Sequence, residues 1–421
     1  MQRIAADGEV VWRYKKAGAG PTWPEYCPLE SGGIVALRLT DTVFTSTSTS
    51  TSTSTSTSPC RRRFLKSSAA LMLAGALPLP VLASIPPFPA LKIVAAQSHR
   101  LFGFAVRPDS LQSDAHYRQF VASQASIIVP ENALKWMAVH PARDRYDFAG
   151  PDAIAAFARE QGIRLRGHTF CWHRALPDWV QAIADEAELE KVLRQHIATV
   201  AGRYRGQIHS WDVANEIINL ADGQPGGWRN SFWYQRLGTR YMDIACEALH
   251  QADPHAVICY NDYGLESDDV SGQRKRAAVL AMLRDLQSRH IPIGALGIQS
   301  HLKAGPHPAF GPGLAAFIHD VKSLGLKVYI TELDVDDSSV PMESRPMAVA
   351  GLYKRYLSLV LEAGVAAILT WGVWDTPHRT AATPKAGDAL ATGPLLFGKD
   401  GSLKDASWAA LHALRSSPDL R

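Results

Sequence analysis

Cysteine is scarce in this chain, with five among 421 residues: Cys27, Cys60, Cys171, Cys246 and Cys259. So few, so scattered, they exclude a disulfide-dense scaffold and a cysteine zinc site, and the three beyond residue 90 read as buried free thiols. A membrane-crossing run is also missing. The most apolar stretch, Ser67 to Leu82, has 16 residues and is interrupted by Pro78 and Pro80, whereas a span needs roughly 20. No GxGxxG follows the first β-rich run, where the chain reads GFAVRPDS, which argues against a dinucleotide-binding open sheet. Excess charge is confined to one end. Of the formal +4, residues 1–89 hold nine Lys/Arg against five Asp/Glu, and the remainder carries 35 of each sign. No nucleic-acid partner is expected from such a balance.

What is present is a core-forming composition, 46% hydrophobic with 11 tryptophans, behind a compositionally odd beginning. Residues 45–58 alternate Thr and Ser without interruption, and side chains that small and polar cannot offset the entropy of ordering a backbone. Residues 1–59 are therefore read as a disordered leader upstream of the mature protein. Arg61-Arg62-Arg63-Phe64-Leu65-Lys66 follows, then the apolar stretch, then Val81-Leu82-Ala83. A basic start, an apolar middle and small residues before a cut make residues 60–84 an export signal resembling the twin-arginine type. After its cleavage no membrane insertion is expected, and the destination is the periplasm or the exterior.

From residue 90 to 421 a single catalytic domain is expected. Short β-rich runs recur at 101–106, 126–131, 164–170, 208–214, 256–261, 295–300, 327–333 and 366–373. Amphipathic stretches such as 184–204 and 273–289 separate them. Eight strand–helix units in this length predict an α/β protein of the (β/α)8 TIM-barrel class, whose chemistry sits at the C-terminal strand ends. Polar groups gather at those ends. Glu131, Asn132 and Lys135 follow the second run, His168 and Trp172 end the third, Asn215 and Glu216 the fourth. Tyr263 lies past the fifth, Gln299 and His301 end the sixth, Glu332 and Asp334 the seventh, and Trp371 the eighth. Any one of these could be a salt-bridged structural group, but seven strands aiming polar groups at one rim is not a packing pattern. Two carboxylates on one rim, Glu216 and Glu332, suit retaining glycoside hydrolysis, which needs a proton donor and a nucleophile about 5–5.5 Å apart. The fourth and seventh strands are expected to face each other across the barrel.

The strings ENALKW (131–136), GHTFCWH (167–173), WDVANE (211–216), YNDYG (260–264), GIQSHL (297–302) and TELDV (331–335) resemble, in order and spacing, those of family-ten glycoside hydrolases, the endo-β-1,4-xylanases. The likeness runs from roughly residue 100 to 410. It implies a retaining enzyme that cuts xylan and xylo-oligosaccharides; the paired carboxylates need no metal or cofactor, and a monomer is expected. By position it implies Glu216 as acid/base and Glu332 as nucleophile, the charge of Glu332 keeping Glu216 protonated until a glycosyl ester forms. Asn215 would bond the 2-hydroxyl of the sugar being cleaved, and His301, oriented by Asp334, would hold Glu332 ionised. Glu131, Asn132 and Lys135 would bind the next sugar on the non-reducing side. His168, Trp172, Gln299 and Trp371 would wall the cleavage position, and Tyr263 would stack on the leaving-group side.

The resemblance lapses after Trp371-Gly372-Val373, where the family usually carries a second tryptophan further along. Here the chain reads Trp374-Asp375-Thr376-Pro377-His378-Arg379, and Trp374 is either a replacement roof or a residue of the barrel wall. A β-1,4-glucanase on the same barrel is the alternative substrate reading, and a non-catalytic sugar-binding protein the alternative class. Trp136, Trp179, Trp211, Trp228, Trp233 and Trp408 are expected to be packing residues.

Overall fold

The computed structural model describes residues 88–305, 310–375 and 393–421, together with the backbone of four short strands nearer the N-terminus. Those strands form two antiparallel pairs, Gln2–Ala6 with Glu9–Arg13 and Tyr26–Pro28 with Val35–Leu37. The Thr/Ser tract, the arginine-rich segment at residues 60–84 and His378-Arg379 lie outside the described residues. The barrel belongs to the unit Ser84–Arg421.

Runs rich in Ile, Val, Leu and aromatics, flanked by helical periodicity, become parallel strands buried on both faces. They are β1 Leu101–Val106, β2 Ile127–Pro130, β3 Arg164–Cys171, β4 Ile208–Asn215, β5 Val257–Asp262, β6 Ala295–Ile298, β7 Lys327–Asp336 and β8 Ala367–Thr370. Each pairs with the next, and β8 pairs with β1, which closes the barrel. The helices that return the chain are α1 Ala115–Gln124, α2 Ala149–Glu160, α3 Glu186–Arg203, α4 Arg240–Ala252, α5 Val270–Ser288, α6 Pro312–Ser323, α7 Arg345–Glu362 and α8 Asp405–Arg415. Several start where an aspartate precedes the apolar repeat. Asp114, Asp185 and Asp269 accept hydrogen bonds from the backbone N–H of Tyr117, Glu188 and Gly272, satisfying donors that a helix start otherwise leaves free. Among the described residues no helix is long and apolar enough to cross a membrane.

Three details depart from the sequence reading. The sixth run stops at Ile298, because Ser300 takes a left-handed backbone (φ 68°), and the chain then resumes as a short strand, His301–Lys303. That strand pairs with the end of β7, with His301 opposite Asp334, so β7 runs on to Asp336. Finally, β4 and β7 are three steps apart round the ring, not directly opposed, with β5 and β6 between them.

Packing falls into two shells. A small interior cluster joins Ala105, Ile127, Val129, Cys259, Ala295, Tyr329, Ala367 and Leu369, and a much larger one fills the space between strands and helices. Cys171, Cys246 and Cys259 are buried free thiols. Trp136, Trp211 and Trp233 are core residues, whereas Trp408 is 45% exposed. Trp374 is a wall residue, not a roof. Its ring is buried against α1, 5.2 Å from Tyr117, 5.4 Å from Phe120 and 5.6 Å from His116 between ring centres.

Because that ring fills a closed space, Trp374→Ala is expected to destabilise the protein by about 3–5 kcal/mol. Urea denaturation measures this; a change below about 1 kcal/mol would place the ring outside the packed wall.

Candidate active site

The floor of the rim is built on β5. Asn261 and Asp262 end that strand fully buried, and the amide of Asn261 is completely used. Its Nδ2 donates to Asn215 Oδ1 and to Glu332 Oε1, both at 2.8 Å, while Oδ1 accepts from Thr331 Oγ1 at 2.7 Å. Its backbone carbonyl accepts from the Glu216 N–H at 2.9 Å. Room for this amide exists because residue 297 is glycine, since a Cβ there would stand 2.3 Å from Asn261 Oδ1.

From this floor the two glutamates rise into one network. Glu216 Oε1 accepts from Asn215 Nδ2 and Gln299 Nε2, each at 3.2 Å, and Gln299 Nε2 also reaches Asn215 Oδ1 at 3.3 Å. Glu332 Oε2 lies 3.2 Å from His301 Nε2, whose Nδ1 is 2.8 Å from Asp334 Oδ1. Burial alone would drive the Glu332 carboxyl upward. The His301 hydrogen bond, the charges of His168 and His301 and the Asn261 amide outweigh it and pull Glu332 down to about 2. For His301 burial favours the neutral ring, but the charge and hydrogen bond of Asp334, with those of Glu332, raise it well above its ordinary value.

The other sequence-selected residues border the same rim. His168 Nδ1 is 3.0 Å from Asp212 Oδ2, and Asp212 also accepts from Arg166. The His168 ring stands 5.5 Å from that of Trp371. Lys135 Nζ bonds Asn132 Oδ1 at 2.8 Å and sits 4.8 Å from the Trp172 ring and 5.7 Å from the Trp371 ring. Burial lowers Lys135, opposed by the charges of Glu332, Glu131 and Glu216. Glu131 and Asn132 line a cavity of about 560 Å3 beside this flank. On the opposite flank Tyr263 is 38% exposed, its hydroxyl accepting from Arg229 at 2.9 Å. Aromatic faces flanking convergent amides, carboxylates and a lysine form a groove for an extended hydroxylated ligand. Among the described residues no group of three or more His, Cys, Asp or Glu side chains is placed to hold a metal.

Several participants were passed over in the sequence. Asn261 and Asp262 stand inside YNDYG beside the chosen Tyr263, and period-two alternation from Cys259 marks Asn261 as interior. Arg166 and Asp212 carry charges within otherwise apolar strand runs, a readable anomaly. Both are 1% exposed. His173, the last residue of the GHTFCWH string but not among the selected residues, has its Nδ1 3.8 Å from Glu216 Oε2.

Known proteins resemble this chain over the barrel. The sequence pattern of glycosyl hydrolase family 10 matches residues 90–413. Endo-1,4-beta-xylanase 2 of Claviceps purpurea is 34% identical over 285 residues, 68% of this chain and 78% of its own length. A beta-1,4-xylanase of Dictyoglomus thermophilum is 33% identical over 305 residues, 70% of this chain and 83% of its own. Among solved structures, native xylanase 10B from Thermotoga maritima superposes with a TM-score of 0.68 at 30% identity, covering 77% of this chain and 98% of its own.

Glu332 is depressed from 4.5 to about 2, so its stabilising contribution is present above its unfolded value and lost as pH falls through about 2. His301 is raised above 6.5, so its contribution is complete below that value and lost as pH rises through the folded one. Removing the imidazole in His301→Gln is expected to raise the Glu332 midpoint by at least about one unit, the equivalent of one charge-assisted hydrogen bond. Carboxyl titration by 13C NMR measures it, and an unmoved midpoint would remove His301 from the account.

Proposed function

The chain belongs to glycosyl hydrolase family 10 and is an endo-1,4-β-xylanase, and from that premise we propose that it cleaves by double displacement with retention. Glu216 is the acid/base and Glu332 the nucleophile. The observation carrying this reading is the shared floor: one amide, Asn261, bonds Glu332 directly and reaches Glu216 through Asn215. A retaining pair acts on one anomeric carbon from carboxyls about 5–5.5 Å apart, where an inverting pair must leave space for a water between them.

In the first step Glu332 attacks C1, the bond from C1 to the leaving oxygen breaks, and Glu216 gives that oxygen its proton. An electrically neutral glycosyl ester results. In the second step the ionised Glu216 takes a proton from water, whose oxygen attacks C1 and frees Glu332. Asn215 bonds the 2-hydroxyl of the sugar under attack. His301 and Asp334 keep Glu332 ionised. Lys135, Asn132 and Glu131 hold the next sugar toward the non-reducing end, His168, Trp172, Gln299 and Trp371 wall the cleavage position, and Tyr263 stacks on the leaving-group sugar. The protein acts as a monomer on internal bonds of xylan.

Hydrolysis of a soluble decorated xylan followed by 1H NMR is expected to release the β-anomer first, and initial α-anomer would exclude retention. Glu332→Ala is expected to lower kcat by at least about 10⁴-fold while sugar binding persists. Aryl xylobioside should turn over faster than aryl cellobioside, whose hydroxymethyl groups must fit against Lys135, Gln299 and Trp371; the reverse order would favour a glucanase.

We also propose export by the twin-arginine route, with cleavage after Ala83. N-terminal sequencing of the exported protein is expected to begin at Ser84, and recovery of an intact leader on it would refute processing.

A further inference from the structure

Glu216 holds a backbone conformation that side-chain-bearing residues avoid. Its φ is 57°, in the left-handed region whose occupation costs about 1 kcal/mol or more for an L-residue and persists only where surrounding bonds enforce it. Two such bonds are directed at its own peptide groups. Its N–H donates to Asn261 O at 2.9 Å, and its carbonyl accepts from Arg229 Nε at 2.5 Å. The Arg229 backbone N–H donates to the carbonyl of the next residue, Ile217, at 2.6 Å. The chain after β4 is thus clipped to Arg229 at two successive carbonyls.

The far end of the same guanidinium is committed elsewhere. Its Nη2 donates to the Tyr263 hydroxyl at 2.9 Å. Tyr263 is itself braced by Lys275, whose Nζ stands 4.0 Å from the ring centre and is ion-paired with Asp262 at 2.7 Å. Among the described residues no carboxylate lies within ion-pair distance of Arg229. Its planar fork links two elements by geometry, and, against the lowering effect of burial, its hydrogen bond to Tyr263 and the nearby charges of Asp262 and Glu216 raise its pKa. A lysine could not do this, because a point ammonium cannot present two divergent N–H groups in a fixed plane.

We infer that Arg229 is a positioning residue that couples the sugar stacked on Tyr263 to the aim of Glu216, so that occupancy of the leaving-group side is transmitted to the proton donor. This rests on the roles proposed above for Glu216 and Tyr263. A sugar seated on the Tyr263 ring fixes the hydroxyl, the hydroxyl fixes the guanidinium, and the guanidinium fixes the carbonyl of a residue whose backbone is otherwise inclined to relax. The consequence is selective. Proton donation matters greatly when the leaving group is a sugar alcohol and little when it is an acidic phenol such as dinitrophenol.

The test is kcat/KM on aryl β-xylobiosides with leaving groups of graded acidity, and on xylotetraose, for the wild type, Arg229→Gln, Arg229→Lys and Tyr263→Phe. General acid catalysis contributes about 10²–10⁴-fold. Arg229→Gln is accordingly expected to lower the xylotetraose rate about 100-fold more than the dinitrophenyl xylobioside rate, steepening the dependence on leaving-group acidity. Arg229→Lys should behave as Gln does, and Tyr263→Phe should move the same ratio in the same direction with the arginine still present. A uniform loss across all leaving groups, rescue by lysine, or an unmoved ratio in Tyr263→Phe would each overturn the coupling. Failure of the underlying assignment looks different: Glu216→Ala in the wild-type background would then show no leaving-group dependence and no rescue by azide.

Discussion

One buried amide sets the geometry on which the rest of this site depends. Asn261 has two N–H groups and an oxygen, and all three are committed, to two walls of the barrel: one to Asn215 on β4, the others to Glu332 and Thr331 on β7. A primary amide held this way cannot rotate without leaving a buried donor or acceptor unpaired, at a cost of about 1–3 kcal/mol per group. Its backbone carbonyl also fixes the N–H of Glu216. Both glutamates are thus located relative to β5, an element that supplies neither. The absent side chain at Gly297 belongs to the same constraint, because any Cβ there would collide with the Asn261 oxygen.

Around that floor, charge is distributed so that one carboxylate stays ionised despite burial. Desolvation opposes the charge on Glu332, and a hydrogen-bonded imidazole backed by a second carboxylate, Asp334, overcomes it. Burial disfavours the cationic imidazole, and Asp334 and Glu332 together oppose that effect by charge and hydrogen bond. Below the rim a second charged chain crosses the interior, from Arg166 through Asp212 to His168. Fully buried ion pairs seldom stabilise a fold more than apolar residues of equal volume would. This one contributes orientation, because Asp212 fixes the ring nitrogen of His168 while Arg166 holds Asp212 from beneath.

The barrel was legible because both periodicities are strong. Apolar runs of strand length alternate with stretches such as Glu186–Arg203, whose apolar residues return every three or four positions, and the eight runs fall within a few residues of the observed strands. Convergence at one rim was legible too, because a strand end is where a parallel barrel presents polar groups. The floor was harder to read. Asn261 and Thr331 sit beside more conspicuous neighbours, and nothing in an isolated string says that an amide on one strand will meet an amide on the next. Pairwise register is a tertiary fact. Trp374 shows the same limit, since a tryptophan past a strand end suits a sugar face and a helix face equally, and only the position of α1 decides between them.

What places these side chains is less the regular barrel than its interruptions. Strict alternation would send Asn215 and Glu216 to opposite faces, yet both carboxamide and carboxylate meet over Gln299. The left-handed turn at Glu216 makes that possible, and the one at Ser300 does the same for His301 by starting a new short strand opposite Asp334. Register shifts occur in the β3–β4 ladder beyond His168, in the β4–β5 ladder between Asp212 and Ala214, and in the β7–β8 ladder between Ile330 and Leu333. Each precedes a residue of the site by a few positions. Irregularities of this kind re-aim side chains at the rims of barrels, and the strain they hold is tolerable because the enclosing ring of strands and helices is otherwise regular. The geometry of the site is therefore set locally, at a handful of backbone positions, while the surrounding barrel supplies the stability that lets those positions persist.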